Sequence, residues 1–305
     1  MIWEKLGLVY RADGRRDWAQ SHAYIPTSIA LNQDRIRVYA AFLDGAKVGR
    51  IGYVDVEAKD PRRIVSVSPD PVLDIGEPGA FDDHGVTPAS IVQWQNKLWL
   101  YYFGWQLGVK RPYFLFTGLA LSEDGGESFT RYSRVPILER SDDEPFVRSA
   151  AHVLWRSGRW RMWYVSSDGW IEIGGKLLPR YHIRGLESCD GINWPKRGDL
   201  CLGAHGADEF GLGRPFVIEE NGVYRMWYSC RTVSAGYRLG YAESEDGKTW
   251  FRRDGETGMD VSASGWDAQM VCFACIQKTR YGTYMFYNGN RYGESGFGAA
   301  ILRVS

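Results

Sequence analysis

The sequence is organised around one aromatic strand motif that recurs five times at nearly constant spacing. The central aromatic residues of the five copies lie 62, 62, 64 and 59 residues apart. They are Tyr39, Tyr101, Trp163, Trp227 and Phe286. Repetition at a fixed period indicates one supersecondary unit used repeatedly. Five units of about 60 residues, each rich in β-forming residues, predict an all-β five-bladed propeller with an axial cleft.

Each repeat carries the signals of further strands. A short apolar run precedes the aromatic motif, and a third strand rich in glycine and alanine follows it. In three repeats the pattern Ser-x-Asp-Gly comes next, beginning at Ser122, Ser188 and Ser244. Asp-Gly supplies the positive-φ turn of a tight hairpin, so a fourth strand follows. We therefore expect four-stranded antiparallel blades.

The N-terminal segment supplies a strand that the last repeat lacks. The last repeat ends after its third strand, and Trp3–Tyr10 reads as a strand without a neighbour in the sequence. Pairing the two removes an exposed sheet edge, so the N-terminal strand is predicted to close the last blade. No linker or low-complexity tract interrupts the repeats, and residues 1–305 are predicted to form a single propeller domain.

Charge and composition narrow the classes of function. The chain has 37 basic and 37 acidic residues, and this balance indicates neither a nucleic-acid footprint nor a basic membrane-facing surface. No apolar stretch reaches the ~20 residues that cross a bilayer, and no secretory signal is apparent. The five cysteines are an odd number, which favours reduced thiols and a cytoplasmic location. Cys272 and Cys275 are three apart on a predicted strand and face opposite sides, so we interpret them as core residues.

Polar residues cluster just before the innermost strand of each repeat, at one mouth of the predicted axial channel. Rotational symmetry would bring these groups into a shared cleft. They are His22 in the first repeat, Asp82, Asp83 and His84 in the second, Glu144 and Arg148 in the third, Asp208, Glu209 and Arg214 in the fourth, and Trp266, Asp267 and Gln269 in the fifth.

A second set of candidates follows the aromatic strands. It contains Trp105, Trp170, Arg231, Tyr237, Asn288 and Asn290. Exposed indole rings beside carboxylates and amides suit a sugar, because an apolar ring face stacks on the aromatic while hydroxyls bond to polar groups. The partner predicted from these residues is a carbohydrate or a sugar nucleotide.

The repeat pattern and three short motifs carry a family resemblance that covers essentially the whole chain. The motifs are Phe81–Pro88 (FDDHGVTP), Gly265–Asp267 (GWD) and Tyr287–Asn290 (YNGN). The chain resembles five-bladed propeller glycoside hydrolases of families 43 and 32 and the family 130 mannoside phosphorylases. It is most similar to a bacterial group of glycosyl hydrolase-like propellers associated with surface-polysaccharide pathways.

The resemblance implies catalytic roles for individual residues. Glu144 matches the general acid, and Asp83 (or Asp82) matches the acid that orients the substrate and tunes the pKa of the general acid. The first repeat departs from the pattern because the segment from Ser21 to Pro26 contains no carboxylate. Asp267 or Glu209 is then the replacement base, or His22 acts as base. In a third arrangement phosphate is the nucleophile and is held by arginines, namely Arg148, Arg214 and Arg231.

The sequence therefore predicts an enzyme that cleaves or transfers a glycosidic bond, with a non-catalytic glycan-binding propeller and a glycoside phosphorylase as alternatives. No cofactor is predicted, although some relatives hold an axial calcium ion near which His84 or His152 would lie. If Glu144 is the general acid, Glu144→Gln abolishes turnover and leaves the melting temperature nearly unchanged. A purely structural propeller would instead scatter its acids over the rim.

Overall fold

The computed structural model describes residues 1–303, which form β-strands almost throughout. Helical structure in this range is limited to a 3₁₀ turn at Asp254–Glu256 and a short turn at Asn290–Gly293. Within residues 1–303 no helix has the length and apolar character needed to cross a membrane.

The strands form five antiparallel groups of four, with β1 (Trp3–Tyr10) preceding the first group. Group 1 contains β2 (Ser21–Ala30), β3 (Arg35–Leu43), β4 (Gly49–Glu57) and β5 (Ile64–Val67). Group 2 contains β6 (Val86–Trp94), β7 (Lys97–Leu107), β8 (Tyr113–Ser122) and β9 (Thr130–Arg131). Group 3 contains β10 (Val147–Arg156), β11 (Arg159–Ile173), β12 (Lys176–Ser188) and β13 (Asp199–Leu202).

Groups 4 and 5 follow the same plan. Group 4 contains β14 (Glu209–Glu220), β15 (Val223–Thr232), β16 (Gly236–Ser244) and β17 (Phe251–Arg252). Group 5 contains β18 (Cys272–Thr279), β19 (Gly282–Asn288) and β20 (Phe297–Leu302), and its fourth strand is β1. Trp3 lies opposite Leu302 and Tyr10 opposite Phe297, so the expected pairing of the N-terminal strand with the last strand is present.

Neighbouring groups touch through their first strands and through short parallel bridges. Each of β2, β6, β10 and β14 contacts the first strand of the next group, and β18 contacts β2. Parallel bridges join β8 to β10 and β12 to β14, which links groups 2, 3 and 4 into one hydrogen-bonded sheet. The buried apolar residues between successive groups form the core.

The recurring aromatic residue of one group contacts the Ser-x-Asp-Gly turn of the next group. The Tyr39 hydroxyl donates to the carbonyl of Gly126 (3.0 Å), and the Tyr101 hydroxyl donates to that of Gly191 (2.9 Å). The indole N–H of Trp163 donates to the carbonyl of Gly247 (2.9 Å) in the same way. Each buried aromatic thus holds the turn of the following group, which explains why the sequence repeats both features together.

The aspartate of each turn is stabilised in its ionised form. Asp190 accepts hydrogen bonds from the Ser188 hydroxyl and from the backbone N–H groups of Ile192 and Asn193. Burial opposes ionisation, but these hydrogen bonds outweigh it and lower the pKa of Asp190 to about 2. Asp124 and Asp246 sit in equivalent turns, and their pKa values are also lowered to about 2.

These turns predict a loss of stability in acid. A carboxyl group whose folded pKa is depressed contributes stability above its unfolded pKa of about 3.9, and this contribution disappears as the pH falls towards the folded value. The free energy of unfolding is therefore expected to fall between about pH 4 and pH 2. Urea titrations across this range should show a shallower fall for the triple variant D124N/D190N/D246N, whose amide oxygens still accept hydrogen bonds but do not titrate. Glu245→Gln, at an exposed position of one turn, is the control, and an unchanged slope in the triple variant would contradict the assignment.

Candidate functional site

In four of the five groups a carboxylate accepts a hydrogen bond from a tyrosine of the second strand; three of these carboxylates are buried, and Asp254 is partly exposed. The pairs are Asp82 with Tyr102 (2.9 Å), Glu144 with Tyr164 (2.7 Å), Asp254 with Tyr228 (2.6 Å) and Asp267 with Tyr287 (2.9 Å). Each carboxylate also binds a cation, and these are Arg131, Arg148, Arg252 and Lys5, respectively. Burial raises the pKa of all four tyrosines, so each phenol is neutral and donates its proton to the carboxylate. The repeated acids thus belong to a repeated acid–tyrosine–cation cluster.

Group 1 has no such cluster because it has no such tyrosine. Ala40 lies opposite Gly52, the position at which Tyr102 lies opposite Gly118 in group 2. The Trp18 ring occupies the space instead, since a Cβ atom placed on Gly52 would fall 2.5 Å from it. The missing carboxylate of the first repeat therefore follows from the missing tyrosine hydroxyl.

Glu144, the general acid implied by the resemblance, is enclosed by donors. It is 1% exposed and accepts hydrogen bonds from Tyr164, the backbone N–H of Gly198 and the guanidinium of Arg148 (3.2 Å). Arg148 is itself 3% exposed and donates to two backbone carbonyls, those of Glu139 and Pro195. Every hydrogen bond that the structure gives this pair goes to a protein group, as expected of a structural ion pair.

Glu209 and Asp254 meet at one guanidinium. Arg252 donates to both carboxylates, at 2.7 Å and 2.5 Å, and lies 3.8 Å from the sulfur of Cys230. Within residues 1–303 these three acceptors are the one group whose geometry would allow a metal ion. Because Arg252 already supplies the positive charge, we assign the group as a structural ion-pair cluster.

A central cavity of about 550 Å³ lies where all five groups meet. This volume is within the ~300–1,000 Å³ range of small-molecule sites. Eight aromatic residues contribute to its wall. They are Tyr24, Phe103, Trp105, Tyr113, Tyr181, Tyr237, Phe273 and Tyr292.

The charged residues of the wall are all basic within residues 1–303. Lys47, Arg214 and Arg231 line it together with His22 and His84, and within residues 1–303 no aspartate or glutamate does so. A chain with equal numbers of acidic and basic residues thus places only basic groups around its central cavity.

Strained backbone shapes the wall of the cavity. Each first strand contains a bulge, and in four of them a non-glycine residue at the bulge has a positive φ. These residues are Ile25 (54°), Ala150 (51°), Arg214 (49°) and Phe273 (59°), and all four line the cavity. Positive φ costs about 1–3 kcal/mol at a non-glycine residue and clusters at ligand sites, so the repeated strain makes this cavity the candidate functional site.

The structure brings together only some of the residues singled out from the sequence. His22, His84, Trp105, Arg214, Arg231 and Tyr237 line the cavity. Asp83, Glu144, Glu209 and Asp267, the four proposed catalytic acids, do not line it, and neither do Asp82 and Arg148. The acids were expected to converge because they precede equivalent strands. Tyrosine hydroxyls or cations within the groups hold Asp82, Glu144, Glu209 and Asp267, and the backbone N–H of Gly79 donates to Asp83.

The other expected binding residues organise loops. Asn288 joins groups 5 and 1, because its side chain bonds to the backbone of Ala23 and Ile25. Asn290 accepts from the N–H groups of Gln269 and Met270, and Asp208 fixes the turn at Ser234. Trp266 packs on Tyr287, and Trp170 packs on Phe146 and Tyr113.

Sequence reasoning missed several residues of the wall. Tyr113 and Tyr181 lie on the third strands β8 and β12, and their hydroxyls are 3.3 Å apart. Lys47 lies in the turn between β3 and β4 and has a φ of 66°. The one sequence feature that could have indicated Tyr113 and Tyr181 is a tyrosine on the third strand of a repeat. The sequence does not show that this part of the strand faces the central cavity.

Two histidines and a tyrosine give the cavity its proton-transfer groups. Burial lowers the pKa of His22, so its ring is mainly neutral at neutral pH. His84 Nδ1 lies 3.5 Å from Asp83 Oδ1, so a carboxylate lies beside a cavity histidine. Burial raises the pKa of Tyr24 to about 12. The Thr87 hydroxyl contacts the Tyr24 hydroxyl and accepts a hydrogen bond from the indole N–H of Trp105.

His152 lies against Phe216, and burial lowers its pKa to about 3, so it is a neutral core residue.

The fold is similar to that of several solved structures. The chain is similar to a glycoside hydrolase structure (18% identity, TM-score 0.77, covering 99% of this chain and 92% of the other) and to a thermostable family-43 glycoside hydrolase (17%, 0.71, 93% and 91%). It is also similar to a structure from the family 130 mannoside phosphorylases, described as containing glycoside hydrolases that target β-1,2-mannosidic linkages in Candida mannan (14%, 0.72, 99% and 93%). The structure is thus a nearly all-β fold similar to the propeller glycoside hydrolases.

Sequence relatives place the chain in a family within this fold. It is 38% identical over 302 residues to the uncharacterized protein Rv1502 of Mycobacterium tuberculosis strain H37Rv, and equally to MT1551 of strain CDC 1551. In both cases the match covers 99% of each chain. The chain belongs to the family of these mycobacterial proteins. No family model matches the sequence.

Proposed function

We propose that this protein is a single-domain five-bladed β-propeller that binds a saccharide in its central cavity. The five strand groups are its blades, and β1 completes the last one. The observation that carries the functional proposal is the cavity wall, where aromatic rings converge from all five groups and strained bulges from four of them. Half-buried rings such as Trp105 and Tyr181 offer apolar faces to a sugar ring, and the neighbouring polar groups offer hydrogen bonds to its hydroxyls.

Binding without bond cleavage is the form of this function that the geometry supports best. Glycoside hydrolysis ordinarily requires two carboxylic acids that flank the scissile bond. The cavity wall carries none within residues 1–303, and Glu144 is buried among its own protein partners, away from the wall.

An enzyme acting on a glycosidic bond is the second candidate, and one observation favours it. His84 lines the cavity and its Nδ1 lies 3.5 Å from Asp83 Oδ1, a pairing that suits a histidine general acid or base. In this form Asp83 positions the imidazole and does not touch the saccharide.

A glycan array followed by calorimetry on each hit tests binding. Trp105→Ala is expected to weaken affinity about tenfold or more, because it removes a stacking face from the wall. Trp155→Ala is the matched control, since Trp155 packs on Trp94 and Trp160 and does not line this cavity. Equal losses in both variants, or no loss in either, would contradict the proposed site.

Incubation of each hit with the protein, followed by product analysis, separates the two candidates. An unchanged ligand supports binding alone. Cleavage that disappears in His84→Asn and is slowed in Asp83→Asn establishes the enzyme instead.

A further inference from the structure

The two buried arginines of the cavity have no counter-ion within residues 1–303. Arg231 is 4% exposed and Arg214 is 2% exposed, yet within residues 1–303 neither has a carboxylate within 4.0 Å. The other deeply buried arginines do have one, since Arg37 binds Asp55 (2.7 Å) and Arg148 binds Glu144 (3.2 Å). Burying a charge without a partner is costly, so an arginine that stays unpaired in this fold calls for an explanation.

Arg231 is positioned as an anion-binding group. Its guanidinium lies 4.5 Å from the ring centres of both Tyr181 and Phe210, and one nitrogen donates to the carbonyl of Pro179 (2.8 Å). Its Nε is buried and has no partner within residues 1–303. The aromatic rings and the carbonyl fix the plane of the guanidinium, while donor capacity remains for a planar or tetrahedral anion.

Arg214 adds charge from the wall of the cavity. It donates to the carbonyl of Pro26 (3.1 Å) and to the Thr27 hydroxyl (3.0 Å), both neutral acceptors. Burial lowers its pKa to about 10, so it remains charged at neutral pH. The positive potential of Arg214, Arg231 and Lys47 is therefore not cancelled by any acidic residue of the wall within residues 1–303.

We infer that the central cavity selects an acidic saccharide, one that carries a carboxylate or a phosphate, and that Arg231 binds the anionic group. This inference rests on the proposed saccharide-binding function and narrows its ligand class. The aromatic wall binds the sugar ring. The anionic group of the ligand supplies the negative charge that no aspartate or glutamate of the wall provides within residues 1–303.

Calorimetry with matched ligands tests the inference. Galacturonate is compared with galactose, and glucose 1-phosphate with glucose, so that the two sources of negative charge are separated. Charged hydrogen bonds to an arginine predict that the acidic member of at least one pair binds about tenfold to a hundredfold more tightly. Arg231→Gln is expected to abolish this difference, and Arg231→Lys is expected to retain part of it.

Arg225→Gln is the control variant, because Arg225 lies on the same strand but pairs with Glu220 and Glu243 outside the cavity. Melting curves of all variants confirm folding. Equal affinity for the acidic and neutral members of both pairs would overturn the inference and leave saccharide binding intact. Inorganic phosphate alone is the last ligand tested. If phosphate binds through Arg231 and no sugar binds, the anion site is supported and the proposed saccharide function is contradicted. If no ligand binds, both fail.

Discussion

Replacing Glu144 by glutamine is expected to destabilise the protein strongly. The carboxylate is fully buried, and a glutamine amide would turn its NH2 group towards either Arg148 or the N–H of Gly198 and leave the guanidinium without its counter-ion. Breaking a buried ion pair from one side costs about 3–5 kcal/mol of unfolding free energy. In a chain of this size that corresponds to a fall in melting temperature on the order of 10 °C, measurable by calorimetry and by urea titration.

Two further variants sharpen this test. Asp142→Asn changes an exposed acid in the same loop and is expected to leave the melting temperature unchanged. The double variant E144Q/R148M is expected to recover part of the lost stability, since it removes the uncompensated charge. A Glu144→Gln protein that melts like the wild type would contradict the structural role. That result would favour the general acid implied by the family resemblance, for which an unchanged melting temperature is expected.

Deleting residues 1–10 is expected to have the larger effect and to destabilise all five strand groups together. Trp3 is 6% exposed and packs edge-on against Trp227 of group 4, at 6.3 Å between ring centres. Tyr10 contacts Phe42 of group 1 and Phe297 of group 5, and Lys5 is the counter-ion of the buried Asp267. Losing one large buried aromatic residue costs about 3–5 kcal/mol, and total stabilities are only about 5–15 kcal/mol.

Hydrogen exchange measured by mass spectrometry distinguishes a global from a local effect. Faster exchange in all five groups of the deletion variant is the expected result, because β1 contacts groups 1 and 4 as well as its own group. A synthetic peptide of residues 1–10 is the control, and its addition should restore protection by pairing with the free edge of β20. Faster exchange confined to β18, β19 and β20 would show that β1 serves only its own group.

The acid–tyrosine–cation clusters show why repeat symmetry in a sequence can mislead about a site. Acids that precede equivalent strands must occupy equivalent places, and this correspondence was visible in Asp82, Glu144 and Asp267. Equivalent positions in the repeats do not specify the direction in which the acidic side chains point, however. The tyrosine hydroxyls of Tyr102, Tyr164 and Tyr287 draw these carboxylates into contacts within the groups, and the central cavity receives the bulge residues instead.

The sequence by itself determined the strand order, the repeat and the pairing of the N-terminal strand. The strand order and the repeat depend on local properties, since alternating burial, Asp-Gly turns and a fixed period are written along the chain, and the pairing follows from a last repeat that lacks its fourth strand. Only the tertiary structure decided that Arg231 has no counter-ion within residues 1–303 while Arg148 has one, and that Tyr113 and Tyr181 face the cavity. Those outcomes depend on which distant segments meet at the centre, and local spacing does not encode this.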